Sequence, residues 1–208
     1  MRVLIFGSTG PTGILLVREV LSALQGCLAV LYVRAPDKLP DDLRTSPSCI
    51  VVDGQLDDID SLSKAMEGVD LVLSALGPSQ FSQPPETMHQ HKVTRLIALG
   101  TASVEAKEDK FNLAYSLMVK SVMISMRNAY KDIRALAAVI QESGLESWTI
   151  VRVPILSNDT SREVIAGYIG DGKTQNHVLL TRIGFAAFVV GEIAKREWSQ
   201  KVPLLVSP

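Results

Sequence analysis

The chain has 208 residues, 47% of them hydrophobic and 21% charged, which suits one α/β domain with a sizeable core and falls short of two comfortable ones. Twenty-one Lys and Arg against 22 Asp and Glu leave a formal net charge of −1, without the positive excess of a nucleic-acid binder or a polybasic membrane anchor. Mean hydropathy is +0.21, yet the longest apolar runs, Leu28–Val33 and Phe185–Val190, are far shorter than the ~18 residues that cross a bilayer.

Arg2–Phe6 (RVLIF) reads as a central strand buried on both faces. A strand starting at residue 2 leaves no room for a signal or transit peptide. After the turn Gly7–Gly13, the apolar positions Ile14, Val17, Leu21 and Leu24 recur at helical steps, and Gly26 closes that helix. Leu28–Val33 is the second strand and Cys49–Val52 the third. A short helix follows over Ile59–Glu67, with Asp58 or Asp60 at its start and Gly68 after its last turn. Leu71–Ala75 and Arg95–Leu99 are strands four and five. A long helical stretch broken once covers Asn112–Ser143, and Trp148–Val151 is strand six. An amphipathic piece at Arg182–Lys195 and an apolar run at Val202–Val206 complete the chain. Pro36–Pro47 and Pro78–Pro85 read as loops. The alternation predicts a Rossmann-like, doubly wound parallel sheet in one domain spanning residues 1–208. Cys27 and Cys49 have no CxxC partner and are expected to be reduced thiols of a cytoplasmic protein.

The turn Gly7-Ser8-Thr9-Gly10-Pro11-Thr12-Gly13 joins a strand to a helix, the setting of a dinucleotide fingerprint. Gly7 permits the tight turn, Gly10 lets the backbone approach a pyrophosphate, and Gly13 lets the helix pack closely on the strand. Backbone N–H groups from Thr9 to Thr12, with the helix dipole, favour an anion, and Pro11 fits the helix start where its missing N–H costs least. At the end of the second strand an NAD site places an acidic residue for the ribose hydroxyls, whereas an NADP site places cations for the 2′-phosphate. This chain has Arg34 there and Lys38 one turn on. The plain alternative is two solvated charges; a guanidinium matches a phosphate and stacks on adenine, so the expected cofactor is NADP(H).

GSTGPTG (Gly7–Gly13), YVRAPDKLP (Tyr32–Pro40), VVDGQLDD (Val51–Asp58), VDLVLSALG (Val69–Gly77), LIALGTAS (Leu96–Ser103) and KDIRALAAVIQESGLESWTIVRVP (Lys131–Pro154) together resemble the atypical short-chain dehydrogenases/reductases of the NAD(P)-binding, NmrA-like kind. Within that group they are most similar to the flavin reductase / biliverdin reductase B type. The resemblance runs nearly end to end. It implies a cofactor lying across the carboxyl ends of the strands, with Asp53, Gly54, Gln55 and Leu56 flanking the adenine and Ala75, Leu76 and Gly77 lining the cofactor after strand four. It also implies Thr101, Val153 and Pro154 beside the cofactor, with a substrate-side wall drawn from residues 155–181.

Two departures from that pattern concern chemistry. Standard members carry Tyr-x-x-x-Lys, and here Tyr115 is followed by Lys120, about 140° out of alignment on a helix. Tyr130 has Arg134 four residues on, so a Tyr–Lys proton relay lacks support and Tyr115 reads first as a packed ring. The flavin-reductase relatives place a Ser after strand five and a His after strand six near the nicotinamide, and the matching positions here are Thr101, with Ser103 close by, and Ile155. The candidate catalytic residues are therefore Thr101, Ser103 and Tyr115; Thr101 equally suits a cap on the following segment. Arg152 faces either the active-site mouth or an acid at its rim. The connection from Pro78 to Thr94 is about ten residues shorter than a usual crossover, with one or two helical turns at Glu86–Lys92. It is expected to leave the sheet less covered near the cofactor. His89 and His91 form an HxH without a metal-spaced acid or Cys, so no metal is expected, and no GxSxG supports hydrolysis. Function then divides between an NADPH-dependent oxidoreductase acting on a flat conjugated acceptor (flavin, quinone or enone), a non-catalytic NADP(H)-binding regulator, and an isomerase or cyclase on the same fold. The expected partner is a small aromatic or conjugated molecule, and the chain a monomer or homodimer.

Overall fold

The computed structural model describes residues 1–77, 83–174 and 177–208. In chain order the first half comprises β1 (Arg2–Phe6), α1 (Pro11–Ala23), β2 (Leu28–Val33), α2 (Asp41–Arg44), β3 (Cys49–Asp53), α3 (Ile59–Met66), β4 (Leu71–Ser74), α4 (Gln83–Gln90) and β5 (Arg95–Thr101). The second half comprises α5 (Leu113–Ser125), α6 (Arg127–Glu142), β6 (Ser147–Val153), β7 (Ile155–Ser157), β8 (Ile165–Gly167), β9 (Leu179–Thr181), α7 (Arg182–Lys195) and β10 (Leu204–Val206).

Residues 3–6 of β1 are almost fully buried, so this strand needs partners on both edges and cover on both faces. It pairs in parallel with β2 and with β4. The sheet order is β3-β2-β1-β4-β5-β6-β10-β8, parallel throughout except for the antiparallel β10–β8 edge. Alternation along the strands divides the core. Val3, Ile5, Ala29 and Leu31 face Leu16, Val17 and Val20 of α1 and Phe185 and Val189 of α7. Leu4, Phe6, Val30 and Tyr32 face Leu62 and Met66 of α3, Met88 of α4, and Ile133, Leu136 and Ile140 of α6. The Rossmann-like, doubly wound α/β reading is thus the observed fold.

Local chemistry explains the boundaries. The Asp58 carboxylate accepts the Ser61 N–H at 3.1 Å and starts α3. The Asn112 side chain accepts from the Tyr115 N–H at 3.1 Å and starts α5, and the Thr181 hydroxyl oxygen accepts from the Gly184 N–H at 3.0 Å and starts α7. The predicted break in the long helix falls at Met126, whose φ of −130° leaves helical space. Several expectations need adjusting. α1 begins at Pro11, the helix start that proline suits, and so takes in one turn ahead of the periodic run from Ile14. α4 begins at Gln83, three residues earlier than expected, and spans two turns. The Pro36–Pro47 loop contains a 3₁₀ turn (Pro36–Lys38) and α2. β7, β8 and β9 are three-residue strands that no alternation announced.

α4, short as it is, buries Thr87 and Met88, so the sheet has cover at that point; residues 78–82 of the short connection lie outside the described residues. The HxH is spent on packing. His89 Nε2 meets the Ser143 carbonyl at 2.6 Å, and His91 Nε2 meets Ser63 Oγ at 2.7 Å, tying α4 to the end of α6 and to α3. Cys27 and Cys49 are free thiols. Among the described residues no helix is long and apolar enough to cross a membrane.

Candidate functional site

The strand order reverses between β1 and β4, which opens a crevice beyond their carboxyl ends. The Gly7–Gly13 turn lies on its rim. Gly7 has φ +77°, and a Cβ there would stand 2.8–2.9 Å from Ala75 and Leu76 backbone atoms, so Ala75–Gly77 run directly against the turn. A Cβ on Gly13 would lie 2.0 Å from the Gly7 carbonyl oxygen, so helix and strand pack as closely as the sequence implied. Gly10 differs from both. Its φ is −84°, and among the described residues a Cβ would meet only the Gly7 oxygen at an ordinary 3.5 Å. The protein itself does not need glycine at position 10, and the space it keeps open suits a bound group.

The first helical hydrogen bond runs from the Ile14 N–H to the Gly10 carbonyl at 2.9 Å. The N–H groups of Thr12 and Gly13 precede it and no side chain among the described residues caps the helix, so this terminus presents free donors and a positive dipole end. Ser8, in the same turn, has a fully buried hydroxyl with no hydrogen-bond partner among the described residues. These features fit a dinucleotide diphosphate: small residues, free amides and no carboxylate in the first helical turn.

Arg34 sits just beyond β2 and Lys38 ends the 3₁₀ turn; both are exposed, and neither side chain forms a hydrogen bond or ion pair among the described residues. Across from them, Asp53 ends β3, followed by Gly54, Gln55 and Leu56. Tyr32 organises this loop, a role the sequence did not disclose. Its hydroxyl donates to the Gln55 carbonyl at 2.7 Å, and its ring occupies the space a Gly54 Cβ would need, 2.3 Å from the hydroxyl oxygen. Burial, with the carboxylates of Asp58, Asp57 and Asp53 behind it, pushes the Tyr32 phenol up to about 12. An aromatic residue two places before Arg34 was the only available signal.

At the far side of the crevice, Thr101 ends β5 opposite Val153 of β6. The Thr101 hydroxyl oxygen accepts from the Ser103 N–H at 3.3 Å, and its carbonyl from the Val104 N–H at 3.0 Å, which shapes the turn out of β5. Ser103 is buried beside Tyr115 on the wall of a cavity of about 360 Å³ between α5, α6 and the loop after β5. Tyr115 is buried, and its hydroxyl donates to the His177 carbonyl at 2.6 Å; burial pushes that phenol up to about 12, against the lowering field of Arg152. This phenol ties α5 to the segment before β9. Lys120 lines the same cavity.

Arg152 is fully buried and forms a two-pronged ion pair with Asp109, at 2.6 and 2.8 Å, while also donating to the Val104 carbonyl. Of its two readings, pairing with an acid is the observed one. Asp109 further accepts the N–H groups of Ala106 and Ile169 at 3.0 Å, so one carboxylate joins β6, the loop after β5 and the segment after β8. Asp171 does similar work in the glycine-bearing stretch. It accepts the N–H groups of Tyr168, Lys173 and Thr174, and these hold its carboxyl below the ordinary range although burial pushes the other way. Nothing local in the sequence marked either aspartate.

Beyond Pro154, β7 pairs in parallel with β9, setting Ile155 opposite Leu179. Both are about half exposed, as is neighbouring Val178 to a lesser degree, so an apolar ledge follows the end of β6.

Residues 7–196 match the model of a protein family described as NAD(P)H-binding. No curated protein matches the sequence. Among solved structures, a wide-type short-chain dehydrogenase/reductase from Veillonella parvula DSM 2008, in complex with NADP, has a TM-score of 0.84 at 16% identity, covering 100% of this chain and 94% of that one. An anaerobilin reductase from Escherichia coli O157:H7 has a TM-score of 0.78 at 16% identity, covering 100% and 98%. A protein provisionally named an NADH-flavin reductase, from Streptococcus pneumoniae TIGR4, has a TM-score of 0.72 at 16% identity and covers 100% of both chains. At such identities the likeness carries the fold alone.

Proposed function

Because this chain belongs to the NAD(P)H-binding family, we propose that it is an NADPH-dependent reductase passing hydride to a flat, conjugated acceptor of flavin, quinone or enone type. The observation that carries the cofactor preference is Arg34, an exposed guanidinium at the end of β2 without a partner among the described residues, with Lys38 four residues on and no acidic residue in its place. The reductase neighbours support the reaction class.

NADPH, when bound, supplies the hydride. The chain holds it in stages. Free amides of the α1 turn, at Thr9, Thr12 and Gly13, take the diphosphate, with Gly10, whose own N–H is held by the Gly7 carbonyl at 3.0 Å, leaving room for its approach and Pro11 fixing the turn. Arg34 and Lys38 take the 2′-phosphate, and Asp53–Leu56, propped by Tyr32, flank the adenine. Ala75–Gly77, Thr101, Val153 and Pro154 border the nicotinamide side of the crevice. The acceptor lies against residues 155–181, where Ile155, Val178 and Leu179 offer apolar surface to a ring. Positioning two rings face to face is the main task of such a site. The Thr101 or Ser103 hydroxyl hydrogen-bonds the acceptor, and solvent supplies the proton, since Tyr115 already donates to a carbonyl. Two free thiols fit a reducing, cytoplasmic setting.

That same engagement of Tyr115, with Ile155 where relatives carry an imidazole, favours a second reading: an NADP(H)-binding regulator, or an isomerase or cyclase, that holds the cofactor without consuming it. Calorimetry with NADPH and NADH, followed by NADPH absorbance with a panel of flavins and quinones, separates them. Tight NADPH binding with turnover supports the reductase. Binding without turnover on any acceptor transfers the conclusion to the second reading, and no binding of either nucleotide removes both.

A further inference from the structure

α5 is a 13-residue helix in which only Tyr115 is buried, although its sequence, LAYSLMVKSVMIS, has a single charge, Lys120. A helix apolar all round belongs in a core or against a partner. Ile124 is 79% exposed and Phe111, just before the helix, 83%; Leu113, Leu117, Met123 and Met126 are also exposed. Together these six leave on the order of 700–800 Å² open, close to the ~800 Å² each partner contributes to a standard stable interface.

The exposed stripe runs Leu113, Leu117, Lys120, Ile124. Its spacing of four, three and four residues is that of a two-stranded helical seam and reads the same in both directions. From this the geometry points to a second copy of this chain as the occupant, docked so that the two α5 helices run antiparallel about a twofold axis. In that register Leu113 faces Ile124 of the other copy, Leu117 faces Lys120, and the flanking Phe111 faces Met126. Each apolar side chain meets an apolar one or the aliphatic stem of Lys120, whose ammonium reaches water at the edge. The two Lys120 charges stay apart. The adjoining flank of α5 (Tyr115, Ser116, Val119, Met123) lines the cavity beside the candidate site and meets the seam at Lys120, so the pairing braces a cavity wall while leaving Arg34 and the glycine turn untouched.

Sedimentation of the full chain at tens of micromolar tests this. The expected mass is twice 22.6 kDa, falling to the single-chain value in Leu117→Lys, which sets like charges against each other across the seam, and in Ile124→Glu. Both positions are exposed, so the monomers remain folded and keep their NADPH affinity. A double variant, Leu113→Cys with Ile124→Cys, cross-links under mild oxidation. Leu113→Cys alone does not, since the two copies of that residue lie about 16 Å apart along the antiparallel pair. A wild-type chain at the single mass overturns the proposal, whether or not it binds phospholipid vesicles. So does a Leu117→Lys chain still at twice the mass, or equal cross-linking by the single-cysteine variant.

Discussion

Arg34 and Gly10 carry the cofactor argument at the level of single residues, and each separates binding from folding. Arg34 is exposed and unpaired among the described residues, so Arg34→Glu removes the proposed charge-assisted phosphate contact, worth roughly 1.5–3 kcal/mol, without disturbing packing. NADPH affinity should fall by about one to two orders of magnitude in calorimetry while NADH affinity stays within a factor of a few; equal loss for both nucleotides would count against the 2′-phosphate contact. Gly10 and Gly13 give a sharper contrast. Gly10→Ala adds a methyl where the protein has room, so thermal stability should hold within about 0.5 kcal/mol while NADPH binding weakens. Gly13→Ala drives a methyl to 2.0 Å from the Gly7 carbonyl and should unfold or strongly destabilise the chain. These roles were legible because the motif is local: strand, seven-residue turn and helix are contiguous. Tyr32 was not legible, because its partner, the Gln55 carbonyl, lies 23 residues away.

Elements with a full period of sequence pattern were predictable, and those without one were not. β1, β2 and the split helical stretch of α5 and α6 span enough residues for two or three repeats of their periodicity. β7, β8 and β9 have three residues each, too few for alternation to register, and their partners come from 24 to about 40 residues away. What fixes this region is Asp109, joined to fully buried Arg152 and to two backbone amides. Asp109→Ala leaves the guanidinium uncompensated in the core and two amides without their acceptor, which should cost ~3–5 kcal/mol, or roughly 6–20 °C in melting temperature. Asp42→Ala, which breaks the exposed Arg18–Asp42 pair, should change stability by less than ~1 kcal/mol. Denaturant midpoints of the two variants decide the matter: similar losses would mean the buried pair does not anchor the segment around β8.

Across the whole molecule, strands alternating with helices implied a parallel sheet, but the order in which they lie side by side depends on which way each crossover turns, and β10 reaches β6 only after some fifty intervening residues. The sheet's flanks are held in part by two tyrosines from different packed clusters, Tyr32 of β2 and Tyr115 of α5. Both phenols are pushed up to about 12 by burial from an ordinary value of 10. For a group whose native value is raised, the folded state retains a proton that the unfolded chain has released, so stability is intact below pH 10 and declines as pH climbs towards 12. At two units apiece the loss approaches ~2–3 kcal/mol per tyrosine. Tyr115→Phe should therefore do two opposite things. Near pH 7 it costs about 1 kcal/mol, because the His177 carbonyl loses its donor. Between pH 10 and 12 it flattens the decline, because one of the two phenols no longer titrates. Urea midpoints for wild type and variant at pH 8, 10, 11 and 12 should converge and then cross between about pH 10 and 11, the variant being the more stable above that; parallel curves would show that the Tyr115 hydroxyl keeps an ordinary affinity for its proton and does not pin α5 to the chain before β9.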